Sequence, residues 1–206
     1  MYSKTIQKLI KLFSKFPGVG PKTAARFVFY LTKQDKEELK ELSKTISSLN
    51  TLKTCNFCFK LFEGEGNLCP ICSNSLRDRS LLCVVAKETD LESIEKNKIY
   101  KGLYFILGGT VSTLKPKELK TLRIKELRER IKNPEKFGIS GASFNEIILA
   151  LNPTVEGEAT ILLLERKLKD LGLKITRLGR GLPIGGELEY ADKETLKSAF
   201  ERRTQQ

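Results

Sequence analysis

Four cysteines stand close together about a quarter of the way along the chain: Cys55, Cys58, Cys69 and Cys72, in the run CNFCFKLFEGEGNLCPIC. Ten residues separate the two Cys-x-x-Cys pairs. Each pair can present two thiolates from one tight turn, and two such turns facing each other make a tetrahedral S4 cage. A structural Zn²⁺ takes that donor set and leaves no position open for catalysis. The gap is shorter than the commonest zinc-ribbon gap, but Gly64, Gly66 and Asn67 supply a turn able to close it. Two disulfides, or four buried apolar cysteines, are the alternatives. Paired spacing in a chain without a secretion signal argues against both. The expectation is one Zn²⁺ per chain, supplying much of the folding energy of a module too small to bury much apolar surface. Cys83 falls inside an apolar run and reads as a small core residue.

Other chemistry is bounded by what the chain lacks. There is no histidine among the 206 residues, so imidazole acid–base catalysis, Ser-His-Asp triads and histidine metal ligands are excluded. Net charge is +12, unevenly spread. Residues 1–54 hold 11 Lys and Arg against 4 Asp and Glu, and the first 34 residues contain no acid. A basic end of this kind suits a polyanion, most often nucleic acid; a solvated lysine-rich face is the plainer alternative. No apolar run approaches the ~20 residues of a membrane span, and the N-terminus has no secretory apolar region with a cleavage site. The expectation is a globular, cytoplasmic protein with no membrane partner.

The elements that would position the basic residues are helices. Ile6, Leu9, Ile10 and Phe13 recur at helical spacing, and Lys4, Lys8, Lys11 and Lys15 make a stripe on another face. This helix is expected to run to Phe16, before Pro17. Gly18-Val19-Gly20 then makes a hairpin, and Pro21 opens a second helix. Lys22 and Arg26 share one face of it, and Ala24, Ala25, Val28 and Leu31 can pack. The stretch FPGVGPKTAARF resembles a helix-hairpin-helix, a module that holds nucleic-acid backbone without reading sequence. Gly18 and Gly20 would let backbone N–H groups approach a phosphate at the helix N-terminus, while Lys22 and Arg26, helped by Lys8, Lys11 and Lys15, add charge. Gly20-Pro21-Lys22-Thr23 is not a P-loop, because proline separates glycine from lysine and no strand precedes it. A third helix is expected from Asp35 to about Leu49, with Asp35 and Glu38 as a capping pair and Leu39, Leu42, Ile46 and Leu49 as a core-facing stripe.

Beyond the cysteines, strand and helix alternate. Strands are expected over 81–85, 102–107, 147–151 and 174–178. Helices are expected from Thr89 to about Lys96, over 124–132 and over 157–171. That alternation predicts a mostly parallel sheet covered on both faces. After the third strand, NPTVEGE resembles the Asp-x-Asp…Glu-Gly-Glu signature of the Toprim fold of topoisomerases and primases. Those enzymes hold Mg²⁺ with a glutamate after the first strand and two aspartates after the third. The matching positions here are Ala86, Asn152 and Thr154, so all three carboxylates are missing, while Glu88, Glu156 and Glu158 remain. Mg²⁺ needs charged, hard oxygen ligands; the resemblance therefore implies the fold without its metal chemistry, and the acids are expected to form a docking patch for a protein partner or a salt-bridge surface within the oligomer.

The glycine-rich run RLGRGLPIGGELEYAD and a helix from about Asp192 complete the chain. In order, these parts are a helix-hairpin-helix module (1–54), a four-cysteine zinc finger (55–78), a Toprim-like parallel α/β domain (79–174) and a loop-helix oligomerisation tail (175–206). NPTVEGEAT and GLPIGGELEYAD, together with the cysteines, make nearly the whole chain resemble the RecR family of bacterial recombination mediators. That resemblance implies a role in DNA repair without catalysis. It implies an oligomeric clamp, a tetrameric ring with exchanged terminal elements, binding single- and double-stranded DNA regardless of sequence. Its partners would be RecO, in some settings RecF, in loading RecA onto single-stranded DNA. The loop GGTVSTLKPKEL departs from the family by being short and lacking a Ser-Pro-Leu-Asp-Gly-like run. The competing readings are a metal-dependent Toprim nuclease or primase-like enzyme, and a zinc scaffold with no DNA role.

Overall fold

The computed structural model describes residues 2–111, 122–179, 181–182 and 184–201. The loop noted above lies mostly outside them. The chain forms two compact units, Met1–Leu52 and Lys53–Gln206.

The first unit is helical: α1 (Lys4–Phe13), α2 (Pro21–Leu31) and α3 (Lys36–Ser48). Ser3 caps α1 by accepting from the Ile6 amide at 3.4 Å. The helix ends at Phe13, three residues earlier than expected. The Ser14 hydroxyl donates to the Ile10 carbonyl at 2.7 Å, and the Lys15 and Phe16 amides turn back to Leu12 and Phe13, tightening the end before Pro17 can act. Gly18 has φ +75°, a conformation that favours glycine. Pro21 occupies the first turn of α2 as expected. Helices α1 and α2 pack through Phe13 on Phe27 (centroids 6.3 Å) and bury Ala24 and Val28 completely. Asp35 caps α3, accepting from the Glu38 amide at 2.8 Å. The stripe of α3 is not core: Leu39, Leu42, Ile46 and Leu49 are 37–61 % exposed. Helical period gives a stripe but does not say what covers it.

The second unit carries a short hairpin, β1 (Lys53–Thr54) with β2 (Leu61–Phe62), then α4 (Pro70–Ser73). A four-stranded parallel sheet follows, in the order β4-β3-β5-β6. Its strands are β3 (Asp78–Val85), β4 (Gly102–Ile106), β5 (Glu146–Ala150) and β6 (Lys174–Arg177). Between them run α5 (Glu88–Glu95), α6 (Ile124–Lys132) and α7 (Val155–Leu168), and α8 (Lys193–Glu201) closes the described chain. The apolar runs of β3, β4 and β5 are continuous because helices and the cysteine module cover the sheet. Helix α5 starts one residue before the expected Thr89, since the Asp90 carboxylate, not Glu92, accepts from the Lys87 amide that opens the helix (3.1 Å). Strand β4 is an edge strand, yet every residue of it is buried. The cysteine module covers that edge: the Ile106 amide donates to the Cys58 carbonyl at 2.9 Å, and Phe59 meets Phe105 edge-on at 5.5 Å. Cysteine module and sheet share one apolar core.

Candidate metal centre and nucleic-acid interface

The cysteines converge because two local turns are held face to face. In the first, the Phe59 amide returns to the Cys55 carbonyl at 3.1 Å and the Lys60 amide donates to the Cys58 sulfur at 3.4 Å. Phe59 sits at φ +68°, the strained point of this turn. In the second, Cys69 precedes Pro70 at the start of α4, and the Ser73 amide returns to the Cys69 carbonyl at 3.0 Å. Gly64 and Gly66, at φ +116° and +82°, turn the connecting loop, and the Asn56 amide reaches the Asn67 carbonyl at 2.9 Å. The four sulfurs lie within 4.8 Å of one another, all essentially buried; Cys58 and Cys69 approach to 3.6 Å without a disulfide. Metal–sulfur bonds of ~2.3 Å place tetrahedral ligands ~3.8 Å apart, so the cage fits such an ion. Within the cluster, the side-chain hydrogen bond between Cys55 and Cys58 holds the Cys55 thiol far below its usual range and pushes Cys58 far above it. A cation would relieve that competition for protons. Cys83 lies apart in β3, where burial pushes its thiol up to about 12.

A buried arginine anchors the first turn. Arg130 of α6 is only 7 % exposed. Its guanidinium donates to the Asn56 carbonyl at 2.9 Å and the Phe57 carbonyl at 3.0 Å, and stacks on Phe59 and Phe137 at 4.4 and 4.1 Å. Arg123 stacks on Phe59 as well, at 4.4 Å, and donates to the Ile106 carbonyl. Two guanidinium groups beside this turn suit a metal–tetrathiolate centre, which stays net anionic. Sequence reading missed both arginines, because nothing local marks Arg130, whose partner Asn56 lies 74 positions away, or Arg123, whose partner Ile106 lies 17 away.

The remaining acids do not gather. Glu88, at the start of α5, accepts from the Leu61 amide at 3.2 Å and pairs with Lys60 at 3.3 Å; Lys60 also pairs with Glu92. Glu158 pairs with Arg177 at 3.2 Å, and Glu156 is exposed. Thr154 caps α7, its hydroxyl accepting from the Gly157 amide at 3.1 Å. Ala86 is buried and Asn152 exposed. Among the described residues, only the four cysteines form a group of three or more potential metal ligands.

In the first unit, Lys8 and Lys11 are exposed on α1, Lys15 is exposed in the turn just past its end, and Lys22 and Arg26 are exposed on α2. Helix α2 begins after Gly20, which offers no side-chain cap, so its first-turn N–H groups stay available to an anion. A side chain at Gly18 or Gly20 would meet no atom within 4 Å; that space is open rather than packed.

Comparison with known proteins agrees with this architecture. Residues 80–179 match the Toprim domain, residues 6–49 the helix-hairpin-helix of RecR, and residues 181–204 the RecR C-terminal domain. The chain is 42 % identical over 199 residues to "Recombination protein RecR" of Dehalococcoides mccartyi, covering 96 % of this chain and 93 % of the relative. The chain belongs to the RecR family of recombination proteins.

Proposed function

We propose that this protein is a recombination mediator in DNA repair, a clamp-like homo-oligomer that binds single- and double-stranded DNA without reading sequence. With RecO, and RecF in some settings, it helps load RecA onto single-stranded DNA. The observation that carries this reading is the pairing of a helix-hairpin-helix whose first 34 residues hold no acid and whose α2 starts without a side-chain cap with a Toprim-like sheet that has Ala86, Asn152 and Thr154 in place of the three carboxylates. The first can hold phosphates through α2's N-terminus, Lys22 and Arg26; the second keeps a shape but offers no Mg²⁺ ligand set for strand cleavage. The cage of Cys55, Cys58, Cys69 and Cys72 would hold Zn²⁺ as a structural ion. Tetramer formation through the terminal elements would make the ring, and the cytoplasm, around the nucleoid, is where it would act. Glu156, next to the 73 % exposed Val155, is our candidate contact for RecO, together with Glu88 and Glu158, which hold ion pairs with Lys60 and Arg177. The test is the lag before RecA filaments form on single-stranded DNA coated by its binding protein. Protein plus RecO should shorten that lag, and Glu156→Gln should lose the effect while binding DNA normally. An unchanged lag with the parent protein would refute the mediator reading.

A further inference from the structure

Helix α2 carries more than charge. Its buried side is Ala24 and Val28. Opposite them, Lys22, Arg26, Phe29 and Tyr30 fall within one arc of ~100°, and Lys33 follows just past the helix end, also exposed. Tyr30 is 64 % exposed and Phe29 37 % exposed; Phe29 rests edge-on against Tyr2 at 5.4 Å. Two rings set among three cations, in a stretch with no acid, differ chemically from the aliphatic stripe of α3. Leucine and isoleucine suit a protein surface. Exposed rings interleaved with lysine and arginine suit unpaired bases and their phosphates, because every base has a face to stack and duplex DNA keeps its faces hidden.

We infer that α2 is a stacking platform for single-stranded nucleic acid, with Tyr30 as the ring that takes a base and Phe29, braced by Tyr2, beside it. This rests on the first unit being the DNA-binding module. It adds a preference: backbone contacts through Lys22 and Arg26 serve either form of DNA, while Tyr30 favours the single strand. Stacking is sequence-tolerant, so the preference would carry no base code.

The chain contains no tryptophan, so Tyr30→Trp introduces a unique reporter at the proposed contact. Oligo-dT should quench its emission, and a duplex of equal length should not. Tyr30→Leu, which keeps an apolar side chain but removes the ring, should weaken oligo-dT binding about tenfold and leave duplex binding within twofold. Lys22→Ala with Arg26→Ala should weaken both. Absent quenching, or equal losses on both DNAs with Tyr30→Leu, would overturn the stacking platform while leaving the phosphate-binding module standing. Unchanged binding of both DNAs by the charge variant would overturn that module and the platform with it. Light scattering on each variant separates a further contrary outcome: a Tyr30→Leu protein of altered mass, whose lost binding follows the lost assembly, would assign this face to a contact between copies.

Discussion

The four cysteines act through local chemistry: two pairs at fixed spacing, with glycines between them to turn the loop, and all four sulfurs brought within 4.8 Å of one another. Their structural role makes a definite prediction for thiol chemistry. In the metal-loaded protein at neutral pH none of the five thiols should react with a disulfide reagent. Chelation should release four, and Cys83 should react only on unfolding. Burial raises the Cys83 value to about 12, so its contribution to stability is present below the unfolded thiol's ~8.5 and is lost as pH rises through that window. Cys55→Ala with Cys58→Ala should abolish metal binding, and Cys83→Ala should leave it unchanged; retained metal in the double variant would contradict the cage. Arg130 was not legible, since one more cation in a charged helix, two residues from Arg128, looks like surface. Its partners are backbone carbonyls brought in by the fold. Arg130→Met should cost on the order of 2 kcal/mol, as the buried Phe57 carbonyl and the part-buried Asn56 carbonyl lose a charged donor, and should speed metal release to a chelator. Unchanged melting temperature and release rate would show the contact to be incidental.

At the scale of elements, starts were easier to read than ends. Pro21, and Asp35 with Glu38, mark helix openings through groups a few residues apart. Helix α1 instead ends by a serine back-bond and two tightened turns, a choice set by local geometry three residues before the proline. The sheet was legible because strands buried on both faces are continuously apolar. Its covered edge was not, because the short β1–β2 hairpin and the Cys58 carbonyl that receives Ile106 leave little trace in sequence. The loop before α7 also hides a constraint: a Cβ on Gly157 would come within 1.9 Å of the Asn152 carbonyl. Gly157→Ala should therefore force β5 and α7 apart and lower the melting temperature of the second unit. A neutral result would show that the junction can relax. The exposed stripe of α3 is the counterpart lesson, since an amphipathic helix read alone always suggests a core.

At the scale of the whole molecule, charge and folding units divide the work. The second unit joins the cysteine cage to the sheet through one core, so metal loss should lower the melting temperature of the sheet while leaving it folded. The first unit holds the acid-free sequence and the uncapped helix start. None of its described helices, nor any in the second unit, is long and apolar enough to cross a membrane. The central claim is that this basic unit grips DNA through phosphates. Phosphate contacts release counterions, so affinity should fall steeply and linearly with salt on a log–log plot, whatever the sequence. The deciding measurement is that slope for the parent and for Lys22→Ala with Arg26→Ala. The account predicts weaker binding and a slope flatter by up to ~2; an unchanged slope with unchanged affinity would place the DNA surface elsewhere and contradict it.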